Sequence, residues 1–334
     1  MGPQYANSQP SGFTNIIKNV AIVGATGQIG HVFTEYLLKS GKQIITALTR
    51  SGSHTTLPKG VRNASIDYND EATLVTALTG QDFLVITLAL SAPSDTHSKL
   101  VRAAAKAGVP YIMPNAYGVD IYGKSKLQGD IPALRYIHAN VSEIADVGAS
   151  WIALTPNFWY EYSMGAGPFT FGFDFKNRHI TFYDDGKTRI NTTTWPQIGR
   201  ALAALVNLKR LPEDENDNSI TLAQFCNKPV YISSFTLSQR EMLDSVNNLL
   251  GTNDQDWKLS YQPTAQRYKE GFKELSEGDR TGFLKGMYAR VFYATGDGVF
   301  ETHNDVLGLP QEDLAEATLA AHQWGITQEK AVGK

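Results

Sequence analysis

Seven consecutive residues, Gly24-Ala25-Thr26-Gly27-Gln28-Ile29-Gly30, have the types and spacing needed to hold a phosphate group. Glycine at 24 permits a tight turn, glycine at 27 lets the backbone approach a pyrophosphate, and glycine at 30 lets a helix pack closely on the preceding strand. The N–H groups opening that helix, and its partial positive charge, then face the anion. The flanks agree with this reading. Val20–Val23 is a short apolar run suited to a strand, and Ile29, Val32, Phe33, Tyr36 and Leu37 recur at the spacing of one helical face, with Gly41 as a stop. A purely structural glycine turn is the other reading of the same residues.

The residues closing the second apolar run discriminate between dinucleotides. A ribose with a free 2′-hydroxyl usually meets an Asp or Glu there. This chain instead has Thr49-Arg50-Ser51. No carboxylate repels a 2′-phosphate, and the Arg50 guanidinium can form a charge-assisted bond with it, so NADPH is expected over NADH. A solvated surface arginine is the alternative.

From Asn19 to Thr155 short β-branched runs alternate with amphipathic stretches, which predicts a mainly parallel α/β sheet of the doubly wound Rossmann type. The expected strands are Val20–Val23, Gln43–Thr49, Ala64–Tyr68, Phe83–Leu88, Pro110–Met113 and Trp151–Thr155, apolar throughout because helices cover both faces. After Pro156 the pattern changes to an aromatic and glycine-rich segment, then to helical stretches near Trp195–Leu208 and Leu237–Leu250. Leu222–Phe235 reads as strand interrupted at Asn227–Pro229, and Phe169, Phe171, Phe173 and Phe175 alternate as a strand would. The expected organisation is a flexible leader over 1–17, a dinucleotide-binding domain over 18–156, and a smaller substrate-side region over 157–330 with segments able to return to the first.

Val20-Ala21-Ile22-Val23-Gly24-Ala25-Thr26-Gly27-Gln28-Ile29-Gly30, Thr49-Arg50 and Pro114-Asn115-Ala116-Tyr117-Gly118 resemble the isoflavone-reductase-like, or NmrA-like, atypical short-chain dehydrogenase/reductase family. The resemblance covers about residues 18 to 165. It implies a Rossmann core binding NADP(H), with the nicotinamide over the ends of the fourth to sixth strands. That position implies cofactor contacts from Leu88, Ala89 and Leu90, from Asn115, Ala116 and Tyr117, and from Pro156, Asn157 and Phe158, beside Gly24, Thr26, Gly27, Gln28, Ile29 and Arg50.

The family's reductases commonly use a lysine as proton donor on the helix after the fifth strand. Here that position falls on Ile137, which cannot donate a proton. Adjacent His138, whose imidazole is of the type that serves as a general acid, is one candidate, a structural histidine being the other reading. Tyr122-Gly123-Lys124-Ser125-Lys126 contains the Tyr-x-x-x-Lys spacing of short-chain dehydrogenases, which on a helix places Tyr122 and Lys126 on one face. Gly123 and the short distance from Asn115 speak for a basic loop over the cofactor instead. Tyr117, Trp159 and Tyr162 are the expected substrate contacts in an aromatic pocket, with Glu161 and Asp174 as polar groups near it.

Composition narrows the function. With 334 residues, 42% apolar, and 30 basic against 33 acidic residues for a net charge of −3, the composition argues against a disordered or strongly nucleic-acid-binding chain. The single cysteine, Cys226, argues against a disulfide-stapled secreted fold, and the scattered histidines lack metal-ligand spacing. No apolar run approaches a membrane span and no secretory signal opens the chain, so a cytoplasmic protein is expected. The reading that results is an NADPH-dependent reductase of a bulky aromatic or polycyclic small molecule. Two alternatives remain open: a non-redox isomerisation or rearrangement, and an NADP-sensing regulator without turnover.

Overall fold

The computed structural model describes residues 4–53, 55–89, 91–123 and 126–332. The strands are β1 (Asn19–Val23), β2 (Ile44–Arg50), β3 (Arg62–Ile66), β4 (Phe83–Ile86), β5 (Tyr111–Met113), β6 (Ser150–Thr155), β7 (Phe158–Trp159), β8 (Phe173–Asp174), β9 (His179–Tyr183), β10 (Arg189–Thr193), β11 (Lys228–Tyr231), β12 (Phe235–Ser238) and β13 (Lys258–Gln262). The helices are α1 (Gln28–Ser40), α2 (Glu71–Leu78), α3 (Thr96–Lys106), α4 (Leu127–Asp130), α5 (Pro132–Asp146), α6 (Tyr160–Gly165), α7 (Trp195–Asn207), α8 (Gln239–Leu250), α9 (Thr264–Ser276), α10 (Thr281–Val291) and α11 (Leu314–Val332). Among the described residues no helix is long and apolar enough to cross a membrane.

Seven strands form one parallel sheet in the order β11-β6-β5-β4-β1-β2-β3. Both faces are covered, which is why β1 and β4 are buried along almost their whole length. On one face Ile22, Val85 and Leu154 pack with Phe33 and Leu37 of α1 and with Ile198, Leu202 and Leu205 of α7. On the other, Ala21, Leu84 and Ile112 pack with Leu74 of α2, Leu100 and Val101 of α3, and Ile144 of α5. A third core, rich in Phe and Tyr, lies among α6, α8, α10 and two three-stranded sheets, β12-β10-β7 and β13-β9-β8.

Several expectations for the later chain are corrected. Leu222–Phe225 is a 3₁₀ turn, and β11 pairs with β6 straight through Lys228 and Pro229, where a break was expected. A proline is tolerated there because β11 is an edge strand. Of the alternating phenylalanines only Phe173 lies in a strand: Gly172, at φ +86°, turns the chain just before it. Phe171 and Phe173 are fully buried in the third core. The described part of the leader is docked, since Ile17 is buried, Asn15 exchanges hydrogen bonds of 2.9 Å with the backbone of Leu211, and Arg210 lies 4.6 Å over the Phe13 ring.

At the end of β1 the glycines act through close approach. Gly24 has φ +75°, and a Cβ there would sit 2.1 Å from the Thr87 carbonyl oxygen; a Cβ on Gly30 would sit 2.1 Å from the Gly24 carbonyl oxygen. Both obstacles are backbone, which cannot move without displacing a strand. Gly30→Ala is therefore expected to destabilise the protein by about 1–3 kcal/mol in chemical denaturation, the range for an overpacked core. Gly129→Ala, where nothing lies within 4 Å, serves as the control. Indistinguishable denaturation midpoints for the two variants would refute the close-packing account.

Candidate functional site

The carboxyl ends of β1, β4, β5 and β6 lie along one edge of the parallel sheet, with the glycine turn following β1 and Thr87 following β4 against it. Gly27 is the N-cap of α1 and contributes no side-chain cap, so the N–H groups of the first helical turn keep their free donors. Thr26, Gly27 and Gln28 are exposed, while Ile29 turns inward to the core. Gly27 N–H donates 2.8 Å to the Gly24 carbonyl, which closes the turn. The Thr87 hydroxyl, which the sequence reading missed, donates 2.6 Å to the Val23 carbonyl and ties β4 to the end of β1. A glycine cradle beside open helical N–H groups fits a dinucleotide pyrophosphate.

Next to the turn, Asn115 after β5 accepts from Leu88 N–H (3.1 Å) and donates to the Leu88 carbonyl (3.2 Å), joining the loops after β4 and β5. The Tyr117 hydroxyl donates 3.0 Å to the Ile86 carbonyl, and its ring packs edge-on to Phe33 at 5.1 Å. Trp159 donates its indole N–H to the Tyr117 carbonyl at 2.9 Å. Tyr162 stands beside Trp159 at 6.3 Å and Trp324 at 5.6 Å. The structure thus brings the expected substrate contacts Tyr117, Trp159 and Tyr162 into one chain of neighbours. Arg50 lies exposed at the end of β2.

The segment after β6 is more deeply set than the resemblance implied. Pro156 is buried, and its carbonyl accepts from the Thr193 hydroxyl. Asn157 takes φ 56°, and its amide donates 3.0 Å to the Gly298 carbonyl, while its Oδ1 is buried without a hydrogen-bond partner among the described residues. The Phe158 ring stacks on Tyr288 at 3.7 Å, so its side chain belongs to the aromatic core. Ala89 is exposed on the loop after β4, whereas Leu90 lies outside the described residues.

Tyr122 and Lys126 do not share a helical face, which corrects that expectation; Lys124 and Ser125 lie outside the described residues. Asp120 Oδ1 accepts from Tyr122 N–H (2.8 Å) and Gly123 N–H (3.0 Å), and this turn replaces helix. α4 begins only after Lys126, its exposed N-cap. The Tyr122 ring stacks on Trp151 at 5.2 Å and meets the His138 ring at 6.0 Å. Its hydroxyl is buried without a hydrogen-bond partner among the described residues, and burial pushes its pKa well above 10. Ile137 packs at the edge of the third core.

A buried carboxylate stands behind the aromatic contacts. Glu161, 3% exposed at the start of α6, accepts the Trp195 N–H at 3.0–3.1 Å on both oxygens, at the N-terminus of α7. Glu312, held by Thr194, Ser234 and Arg200, lies close enough to add repulsion. Burial, chiefly, raises the Glu161 pKa from 4.5 to about 7. Conversely His97, 3% exposed on α3, is pushed down to about 4 by burial. The sequence had offered Glu161 no defined role because its partner Trp195 is remote in the chain.

The sheet and its flanking helices form a Rossmann-type α/β fold, with the glycine turn at the end of β1. Residues 24–158 match the NAD(P)H-binding family model. The chain is 26% identical over 309 residues to the oxidoreductase aprR of Aspergillus flavus, covering 89% of this chain and 96% of that one. Its fold matches an isoflavone reductase crystal structure with a TM-score of 0.70 at 17% identity, covering 93% of this chain and 100% of the other. It also matches the binary complex of leucoanthocyanidin reductase with NADPH from Vitis vinifera at a TM-score of 0.69 and 14% identity, covering 92% and 99%. The expected likeness to isoflavone reductases is borne out in the fold, and with it the Rossmann α/β architecture.

The raised Glu161 pKa has a measurable sign. Below about 4.5 the carboxyl is protonated in folded and unfolded chain alike; between 4.5 and 7 only the unfolded chain releases its proton, so stability falls as pH rises. The full effect above pH 7 is on the order of 3 kcal/mol. Glu161→Gln is expected to match the wild type near pH 4.5 and to exceed it progressively towards pH 8 in denaturant titrations. His97 contributes the opposite slope below its ordinary 6.5, and it cancels in the comparison of the two proteins. Parallel stability curves would contradict the assignment.

Proposed function

We propose that the protein is an NADPH-dependent reductase of a bulky aromatic or polycyclic small molecule bearing a carbonyl, imine or activated double bond, as in specialised metabolism. The observation that carries the reading is the glycine turn opening onto uncapped helical N–H groups, combined with Arg50, rather than a carboxylate, at the end of β2. Gly24, Gly27, Gln28 and Ile29 would hold the pyrophosphate, Thr26 would border it, and Arg50 would meet the 2′-phosphate. Leu88, Asn115, Tyr117, Pro156, Asn157 and Phe158 would shape the nicotinamide end, the last three through their backbone and packing.

When bound, NADPH supplies a hydride. The chain's own contribution is position and a proton. Trp159 and Tyr162 offer aromatic faces to a flat substrate, and the Trp159–Tyr117 hydrogen bond ties that wall to the end of β4. Of the proton-handling residues read from the sequence, Tyr122 and His138 are neighbours, and Lys126 is exposed beside their loop. Ile137 at the usual lysine position keeps a rearrangement without net reduction as the second reading.

Two measurements test this. Arg50→Ala is expected to weaken NADPH binding by about 10-fold or more while changing NADH by less than about 3-fold, since a charge-assisted bond contributes about 1.5–3 kcal/mol; equal losses would remove the 2′-phosphate argument. Incubating the NADPH complex with aryl ketones and enones should lower nicotinamide absorbance and yield products two hydrogens heavier. Products of unchanged mass would favour rearrangement.

A further inference from the structure

We propose that Tyr231 is the proton donor of this site and that Asp120 positions it; the assignment rests on the reductase reading above. β11 runs beside β6 with Tyr231 opposite Thr155, the last residue of each strand. The phenol therefore stands at the carboxyl edge of the sheet, where open α/β sheets hold their ligands, one strand over from Pro156 and Asn157. Its hydroxyl donates to Asp120 Oδ1 at 3.0 Å. The same oxygen accepts the Tyr122 and Gly123 N–H groups, so the carboxylate is fixed by backbone and in turn fixes the phenol oxygen.

The ring is held on its other sides. Phe300 lies 4.8 Å from it, and His303 stacks parallel at 6.1 Å while its Nδ1 accepts the Tyr231 N–H at 3.0 Å. Tyr231 is nevertheless only half-buried, unlike Tyr122, whose hydroxyl is sealed. Asp120, Tyr122 and His303 are the titratable groups around it among the described residues. Burial and the Asp120 charge both push its pKa up, which keeps the phenol protonated through the neutral range. A group in that state can give a proton to a developing alkoxide, the task Ile137 cannot perform.

The step balances as follows for a carbonyl substrate. The hydride comes from the reduced nicotinamide and forms the new C–H bond, the carbonyl π pair moves onto oxygen, and the Tyr231 O–H proton completes the alcohol. The phenolate left behind recovers its proton from solvent. To give its single proton the phenol O–H turns from Asp120 Oδ1 to the substrate oxygen; Asp120 stays ionised, keeps the Tyr122 and Gly123 N–H bonds, and takes the phenol hydrogen bond back once solvent has reprotonated the phenolate.

The test uses the full chain with NADPH and with 1-indanone and trans-chalcone as probes. Tyr231→Phe is expected to bind NADPH within about twofold of wild type while kcat falls by about 100-fold or more, the usual range for losing a general acid. Asp120→Asn keeps the phenol but removes the charge, so the alkaline limb of the kcat profile should move to lower pH. Tyrosine labelled at Cζ with ¹³C gives a readout independent of turnover: the NMR signal missing from Tyr231→Phe should titrate at lower pH in Asp120→Asn. Retention of kcat within about threefold by Tyr231→Phe, or an unmoved tyrosine signal, would overturn the assignment. A wild type that binds NADPH but reduces neither probe would overturn the reductase reading for these substrates and the donor role with it.

Discussion

The contact on which the rest depends is the seam between the end of β1, the end of β4 and the start of α1. Two backbone approaches there leave no room for a Cβ, Gly24 against the Thr87 carbonyl and Gly30 against the Gly24 carbonyl, and the Thr87 side-chain hydroxyl bonds the Val23 carbonyl beside them. Close approach sets where α1 starts and which way it points. Because α1 packs along α7 and the first core, the same seam also orients α7, whose N-terminus receives Glu161. The phosphate cradle and the aromatic wall are thus held by one piece of backbone geometry.

A second consequence is that the site is assembled from loops at one edge. The loop after β4 is tied to the loop after β5 through Asn115, the loop after β5 to β7 through Trp159, and the same loop to β11 through Asp120 and Tyr231. Each tie is a hydrogen bond between segments far apart in sequence. In water such a bond contributes only about 0.5–1.5 kcal/mol, but as a set they leave few alternative arrangements of the loops.

Much of the first half was legible in the sequence because its signals are local. The strand of Val20–Val23, the glycine turn and the apolar face of α1 follow one another within about twenty residues, and the structure has β1, the turn and α1 in those places. The later chain was less legible because its structure depends on distant partners. Pro229 looked like a break, but the edge position of β11 makes it tolerable. The phenylalanine alternation looked like a strand, but Gly172 turns it into core. Tyr122 and Lys126 had the spacing of a helical pair, but an Asp120 turn two residues upstream prevents the helix. Tyr231 carried no local signal at all, since 111 residues separate it from Asp120.

The most direct measurement is a titration of the purified chain with NADPH, followed by nicotinamide and tryptophan fluorescence, beside a Gly24→Asp variant checked for retained secondary structure. The geometry of the turn predicts saturation near one equivalent for the wild type and no saturable binding for the variant, whose Cβ, 2.1 Å from the Thr87 carbonyl oxygen, would displace the turn that holds the pyrophosphate. Tight NADPH binding by Gly24→Asp, or none by the wild type, would contradict the placement of the dinucleotide on this turn.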